Sequence, residues 1–194
     1  MNIFDFDGTI YDGDSCKDII IYGLRKHFLV VVPSLYRTIK MYKKYKKDLV
    51  SFDSVKESLI SFIFMIKDTD KFLDEFVKSH IKKIKPWYLD IKNSEDVIIT
   101  ASCDTWINKF ASLLDLKYVI ATKVDISGRL ISKNCKREEK IFRFRELFPN
   151  AEVNNSYSDS ESDIPMLKLA KNPYVIEGNN VIPYKEGYKF KKKD

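Results

Sequence analysis

Asn2-Ile3-Phe4-Asp5-Phe6-Asp7-Gly8-Thr9-Ile10 is the stretch whose reading decides the fold. A short apolar run ends in one carboxylate, a second follows two residues later, and Gly-Thr then breaks the strand. Residues two apart on a strand share a face. Asp5 and Asp7 therefore face one pocket if the strand persists, and lie on two sides of it if the chain turns at once. Carboxylates this close are costly unless a cation sits between them. Gly8 lets the backbone approach an anion, and N–H groups freed after a strand form an anion nest. The stretch is a candidate site for a hard cation and a phosphate. The plainer alternative is two solvated Asp in a turn, so the rest of the chain has to decide.

Working outward, residues 2–6 are expected to form a strand buried on both faces. Asp12-Gly13-Asp14-Ser15 suits a turn and a helix N-cap. From Cys16 to about Lys85 the signals are helical. Arg25-Lys26-His27 closes a first helix, and Leu35, Ile39, Tyr42 and Leu49 mark a second with lysines between them. Asp53 or Ser54 caps a third, Asp68 or Asp70 caps a fourth, and Pro86-Trp87 stops it.

Strands and helices alternate beyond that point. Strands are expected over 96–101, 117–121, 153–158 and 173–176, with a β-hairpin over 124–131 and a short C-terminal tail. Helices are expected over 104–114, 137–147 and 162–171. This alternation predicts an α/β fold, a Rossmann-like parallel sheet with helices on both faces and an all-helical cap inserted after the first strand. The expected division is 1–14 with 86–194 as the catalytic core and 15–85 as the cap. Ligands of such sheets bind outside the C-terminal strand ends, where Asp5, Thr100 and Asp159 all fall.

The 194 residues are ample for a buried core, and their 44% hydrophobic content is that of a globular protein. The net charge of +6 favours an anionic partner without choosing among phosphate, nucleic acid and a membrane surface. Basic residues crowd between Arg37 and Lys47 and again over Lys189-Phe190-Lys191-Lys192-Lys193. Three cysteines with no Cys-x-x-Cys argue against a disulfide framework or a zinc ribbon and for a reducing compartment. No signal peptide precedes Asp5, and no apolar run is long enough to span a bilayer. The expected location is cytoplasmic, with peripheral contact at the inner membrane surface open.

Four features line up at strand–helix junctions: Asp5 with Asp7; Thr100-Ala101-Ser102; Lys140 early on a helix; and Asp159-Ser160-Glu161-Ser162-Asp163. Together they suffice for phosphoryl transfer. One carboxylate can attack phosphorus and a second can protonate the leaving oxygen and activate water. Oxygen ligands can hold magnesium, while a hydroxyl and an ammonium hold the phosphoryl oxygens. Each feature alone has an ordinary explanation as a cap or a solvated charge; their joint order does not.

These motifs resemble those of the haloacid dehalogenase-like (HAD) hydrolase superfamily. The helical insertion and Asn134-Cys135-Lys136-Arg137-Glu138-Glu139-Lys140 resemble its phosphoserine-phosphatase-like branch, subclass IB. The resemblance implies a phosphatase with Asp5 as nucleophile, passing through an aspartyl-phosphate, and Asp7 as general acid/base. It implies phosphate binding by Gly8, Thr9, Thr100, Ala101 and Lys140. It implies magnesium held by Asp5, the Asp7 carbonyl, Asp159 and Asp163. A receiver domain is excluded by order, since its acidic pair lies far upstream of the phosphorylated Asp. A catalytically silent phosphate- or lipid-binding protein on the same fold is the competing reading.

Substrate choice falls to the cap. Asp14 sits where phosphoserine phosphatases carry an acid that contacts the substrate amine, making it a candidate substrate-selecting residue. The arginine those enzymes use for the carboxylate has no counterpart between Phe52 and Ile63. The expected substrate is a small phosphorylated metabolite or a phospholipid head group. Phe28-Leu29-Val30-Val31-Val32-Pro33 with the basic run behind it suits an anionic membrane. Nucleic acid is the weaker partner, because Tyr36, Tyr42 and Tyr45 are better explained by packing.

Overall fold

A computed structural model describes residues 1–191. Six strands form one sheet: β1 (Asn2–Phe4), β2 (Val97–Cys103), β3 (Tyr118–Thr122), β4 (Val153–Ser158), β5 (Ala170–Glu177) and β6 (Asn180–Pro183). Their order is β3-β2-β1-β4-β5-β6. The first five run parallel, and β6 returns antiparallel to β5. Alternation along β1 sends Ile3 to one face, with Val97, Ile99 and Phe144, and Phe4 to the other, with Ile98, Trp106 and Tyr157. Both faces are thus apolar and both are covered by helices, as a parallel sheet requires. Phe4, Tyr157 and Tyr174 are register partners on three adjacent strands. Their rings stack with centroids 4.5 and 5.0 Å apart, which pins the strand register beneath the site.

Between β1 and the short helix that precedes β2 come four helices: α1 (Ser15–Lys26), α2 (Phe28–Tyr45), α3 (Phe52–Met65) and α4 (Thr69–His80). Side chains cap three of them: Asp14 accepts from the Lys17 N–H, Ser51 from Ser54 and Asp68 from Lys71. Tyr11 forms an isolated bridge with Ile84. Asp12 N–H donates to Lys83 O at 2.7 Å, and Lys85 N–H to Ile10 O at 2.8 Å. The segments that enter and leave the helices therefore run side by side. The remaining helices are α5 (Pro86–Ile91), α6 (Asp104–Leu113), α7 (Glu138–Leu147) and α8 (Ile164–Leu167).

Several expectations need correction. β1 ends at Phe4, because the N–H groups of Thr9, Ile10 and Tyr11 all turn back onto the Phe6 carbonyl. The 124–131 hairpin is shorter than expected: an antiparallel Val124–Leu130 bridge, with Asp125 N–H donating to Arg129 O and Ile131 N–H to Lys123 O. There the Asp125 carboxylate takes the Ser127 N–H within the turn and the Arg129 N–H, the latter a donor a longer ladder would have used. Pro86 starts a helix instead of only stopping one, occupying the first position where a missing N–H costs nothing. The expected 162–171 helix is a 3-10 turn (Glu161–Asp163) and the short α8, because Ala170 already pairs with Val153 in β5. The expected tail contains β6, reached through a turn at Gly178 (φ 61°). Leu49 lies beyond the end of α2. Lys192 and Lys193 of the basic tail lie outside the described residues.

Candidate active site

The C-terminal ends of β1, β2 and β4 converge at the point where the strand order reverses on either side of β1. Asp5 follows β1 directly, its N–H still donating to Tyr157 O at 3.0 Å. Although the chain turns at once, Asp5 and Asp7 line the same cavity, of about 370 Å³.

Lys140, on the first turn of α7, is the centre of the arrangement. It is only 2% exposed, and its ammonium donates to Asp5 Oδ1 at 2.7 Å and Asp163 Oδ2 at 2.8 Å. Burial disfavours the ammonium, but Asp163 and Asp5 outweigh burial and hold its pKa above the usual lysine value. Burial pushes the Asp5 carboxyl up to about 7; Lys140 pulls the other way, and the charges of Asp163 and Asp159 add to the rise. Ser158 Oγ also donates to Asp163 Oδ2, at 2.8 Å.

Asp7 has different partners. The Ser15 N–H donates to its Oδ1 at 2.6 Å and Ser102 Oγ to its Oδ2 at 2.5 Å. Burial raises the Asp7 pKa, and these hydrogen bonds oppose the rise. Trp106, fully buried, donates from Nε1 to Ser15 Oγ at 3.0 Å and fixes this wall. The pair thus divides into a carboxyl beside an ammonium and a carboxyl held by two neutral donors.

Gly8 and Thr9, expected among the phosphate-binding groups, make contacts within the two acidic loops. The Gly8 N–H is taken by the carbonyls of Tyr11 and Gly13, at 2.9 and 2.8 Å. Gly8 has φ +77°, and a Cβ there would lie 1.9 Å from Asp159 Oδ2, so only glycine lets the β1 loop pass under Asp159. Thr9 Oγ1 faces Asp5 Oδ2 at 3.3 Å and accepts from the Asp159 N–H at 3.1 Å. Its role is to join the two acidic loops. Thr100 is buried at the cavity wall and accepts from the Ser102 N–H. The Ala101 carbonyl accepts from Lys56 Nζ at 2.5 Å. Asp14 lines the cavity while its Oδ1 caps α1 at the Lys17 N–H.

Some residues were missed in the sequence. Lys56 on α3 reaches the cavity and donates also to Asn134 Oδ1 at 2.9 Å and Thr122 Oγ1 at 3.3 Å. Lys85, 3% exposed, donates to Gly8 O and Gly178 O at 2.5 and 2.6 Å, holding the β1 loop. Ser15 and Ser158 carry no motif signal beyond lying next to acids. Ser102 had one, as the second hydroxyl of Thr100-Ala101-Ser102.

Among the described residues, no three His, Cys, Asp or Glu side chains are gathered as a metal cage. The donor set still suits magnesium, which binds one or two carboxylates, waters and a substrate phosphate in preference to an all-protein cage. Asp163 Oδ1 is buried without a hydrogen-bond partner. It is the atom a hydrated cation would satisfy, where the charges of Asp163 and Asp159 already act on Asp5.

The family profile for haloacid dehalogenase-like hydrolases matches residues 3–168. Protein CicA of Caulobacter vibrioides is 29% identical over 182 residues, covering 86% of this chain and 81% of the relative. A histidinol-phosphatase of Neisseria meningitidis serogroup C is 22% identical over 204 residues, covering 91% and 89%. A Bordetella pertussis protein of unknown function shares the fold with a TM-score of 0.73 at 17% identity, covering 89% of this chain and 87% of that one. A phosphoserine phosphohydrolase-like protein of Francisella tularensis shares it with a TM-score of 0.55 at 18% identity, covering 89% and 86%. With the matched stretch running from β1 through α8, the chain belongs to the haloacid dehalogenase-like hydrolase family.

Proposed function

We propose that the chain is a magnesium-dependent phosphatase that hydrolyses a phosphomonoester through an aspartyl-phosphate on Asp5. The observation that carries this reading is the Lys140 ammonium between Asp5 and Asp163, with Asp7 held separately by Ser15 and Ser102 in the same cavity. An Asp5 oxygen attacks phosphorus and the ester P–O bond breaks. Asp7 gives its proton to the departing oxygen. Asp7, now a carboxylate, takes a proton from water, whose oxygen attacks phosphorus. The acyl-phosphate P–O bond breaks, freeing inorganic phosphate and restoring Asp5. Thr100 Oγ1 and Lys140 Nζ hold the phosphoryl oxygens throughout. Magnesium would be held by Asp5, Asp159, Asp163 and the Asp7 carbonyl, and supplies charge neutralisation of the phosphoryl group.

Residues 15–85 act in this reading as a cap over the catalytic core of 1–14 and 86–194. The cap decides the substrate through Lys56 and the apolar Phe52, Val55 and Leu59 that line the cavity, together with Asp14 at the edge of the core. A cavity of about 370 Å³ suits a small phosphorylated metabolite or a phospholipid head group. The histidinol-phosphatase relative supports the metabolite class. The test is phosphate release from a panel of phosphomonoesters, with magnesium and with chelator. Magnesium-dependent turnover that falls about 10²- to 10⁴-fold in Asp7→Asn is expected. A folded protein with no turnover on any ester, or an Asp7→Asn variant as active as the parent, would overturn the reading in favour of a silent phosphate binder.

A further inference from the structure

The outer face of α2 plays no part in the cavity or the core. Val31 and Ser34 point inward and are buried. On the opposite side, Phe28, Leu29, Val32, Tyr36 and Ile39 follow one another at helical spacing, and all are exposed. Leu29 is 85% exposed, Phe28 60%, Tyr36 59% and Ile39 55%. The same stripe continues into Lys43 and Lys46, with Lys40 and Lys47 along its flank. The Lys40 ammonium lies 4.4 Å from the Tyr36 ring centre and that of Lys46 5.4 Å from Tyr42. Among the described residues, none of Lys40, Lys43, Lys46 and Lys47 forms an ion pair with a carboxylate. Beside the stripe, Thr38, Ile39, Tyr42 and Val55 floor an open hollow of about 680 Å³, rimmed by Lys43, Lys46 and Lys47. Val55 also lines the catalytic cavity.

From this we infer that α2 is a docking surface for an anionic phospholipid bilayer. The stripe asks for two things at once: an apolar phase for Leu29, Val32 and Ile39, and negative charge for the lysines. A bilayer interface offers both within one helix diameter, acyl boundary below and anionic head groups beside. A second copy of the chain fits worse. Pairing two α2 helices antiparallel lays the unpaired lysines of each against the apolar half of the other, and pairing them parallel sets lysines against lysines. A nucleic acid would satisfy the lysines but leave the exposed aliphatic side chains in water. The shared Val55 wall places the lipid-facing hollow next to the catalytic cavity.

The experiment is vesicle flotation of the full chain with phosphatidylcholine alone and with phosphatidylcholine mixed with phosphatidylglycerol, at low and high salt. Binding is expected only to the anionic vesicles and should weaken with salt. Lys40→Glu with Lys43→Glu should weaken it by roughly fivefold or more for each lysine lost. Leu29→Glu with Ile39→Glu should weaken it at least about tenfold, since the apolar area is then charged. Thermal melts of both variants, unchanged from the parent, exclude misfolding, and neither pair touches the cavity. Equal binding to neutral vesicles or no binding to either would overturn the inference. So would a dimer in sedimentation that Leu29→Glu dissociates, or retention on single-stranded RNA without vesicle binding. Flotation requires no turnover, so its failure is distinct from failure of the phosphatase reading.

Discussion

Asp5→Asn tests the electrostatic account of the site most directly. Burial raises the Asp5 carboxyl to about 7 from its ordinary value of 3.8 despite Lys140. In that range the folded chain binds a proton that the unfolded chain has lost, so folding stability falls as pH rises. The loss begins near the unfolded value and is complete above the folded one. Each unit of difference is worth about 1.4 kcal/mol. Between pH 5 and pH 8 the parent should therefore lose roughly 3 kcal/mol relative to D5N, which presents a neutral amide at every pH. Asp5 is 7% exposed, so solvent screening takes little from this figure. The assay is urea unfolding of both proteins in chelator at the two pH values. D5N is expected to be close to the parent at pH 5 and clearly the more stable at pH 8. A difference that does not change with pH, or a D5N protein that loses stability relative to the parent as pH rises, would refute the account.

Three further outcomes follow from the same geometry. Lys140→Met leaves Asp5 and Asp163 facing each other without their shared cation, and should cost about 3–5 kcal/mol at pH 8 in urea unfolding; a loss under about 1 kcal/mol contradicts the buried bridge. Gly8→Ala forces a Cβ to within 1.9 Å of Asp159 Oδ2 at a φ of +77°. It should abolish turnover and lower stability by at least about 1–3 kcal/mol, whereas a fully active variant would mean that the β1 loop is not held as described. Ser102→Ala removes a hydrogen bond that opposes the burial-driven rise of Asp7, so the alkaline limb of the kcat profile should move to higher pH. A limb that stays put or moves down separates Asp7 from the proton transfer.

Most of the sheet was legible because both of its signals are local. Val97-Ile98-Ile99 and Tyr118-Val119-Ile120 are apolar runs of strand length, and alternation with amphipathic helices implies parallel order. The candidate site was legible for a related reason: its acids and hydroxyls sit at strand ends and its lysine on the first turn of a helix, where sequence order predicts convergence. What escaped depended on contacts far apart in the chain. β6 exists because Val181 and Ile182 find Ile176 and Val175, and nothing in a short tail announces a partner. The 124–131 alternation was a true pattern, cut short to one bridge because the Asp125 carboxylate captures the Arg129 N–H that the next rung would use. Lys56 was invisible among many lysines, since only the packing of α3 over the β2 and β3 ends separates it from the solvated ones.

That packing has a kinetic consequence. Lys56 ties α3 to Ala101, Thr122 and Asn134, and its neighbour Glu57 accepts the Leu130 N–H at 2.8 Å. The two adjacent side chains make a latch between one helix and the ends of two strands. To admit a substrate broader than the present mouth, the latch has to exchange its hydrogen bonds for water, a near-even trade in free energy but a concerted one. Opening of this kind falls in the microsecond-to-millisecond range. In the proposed reaction, the opening rate of this latch is an upper limit on turnover.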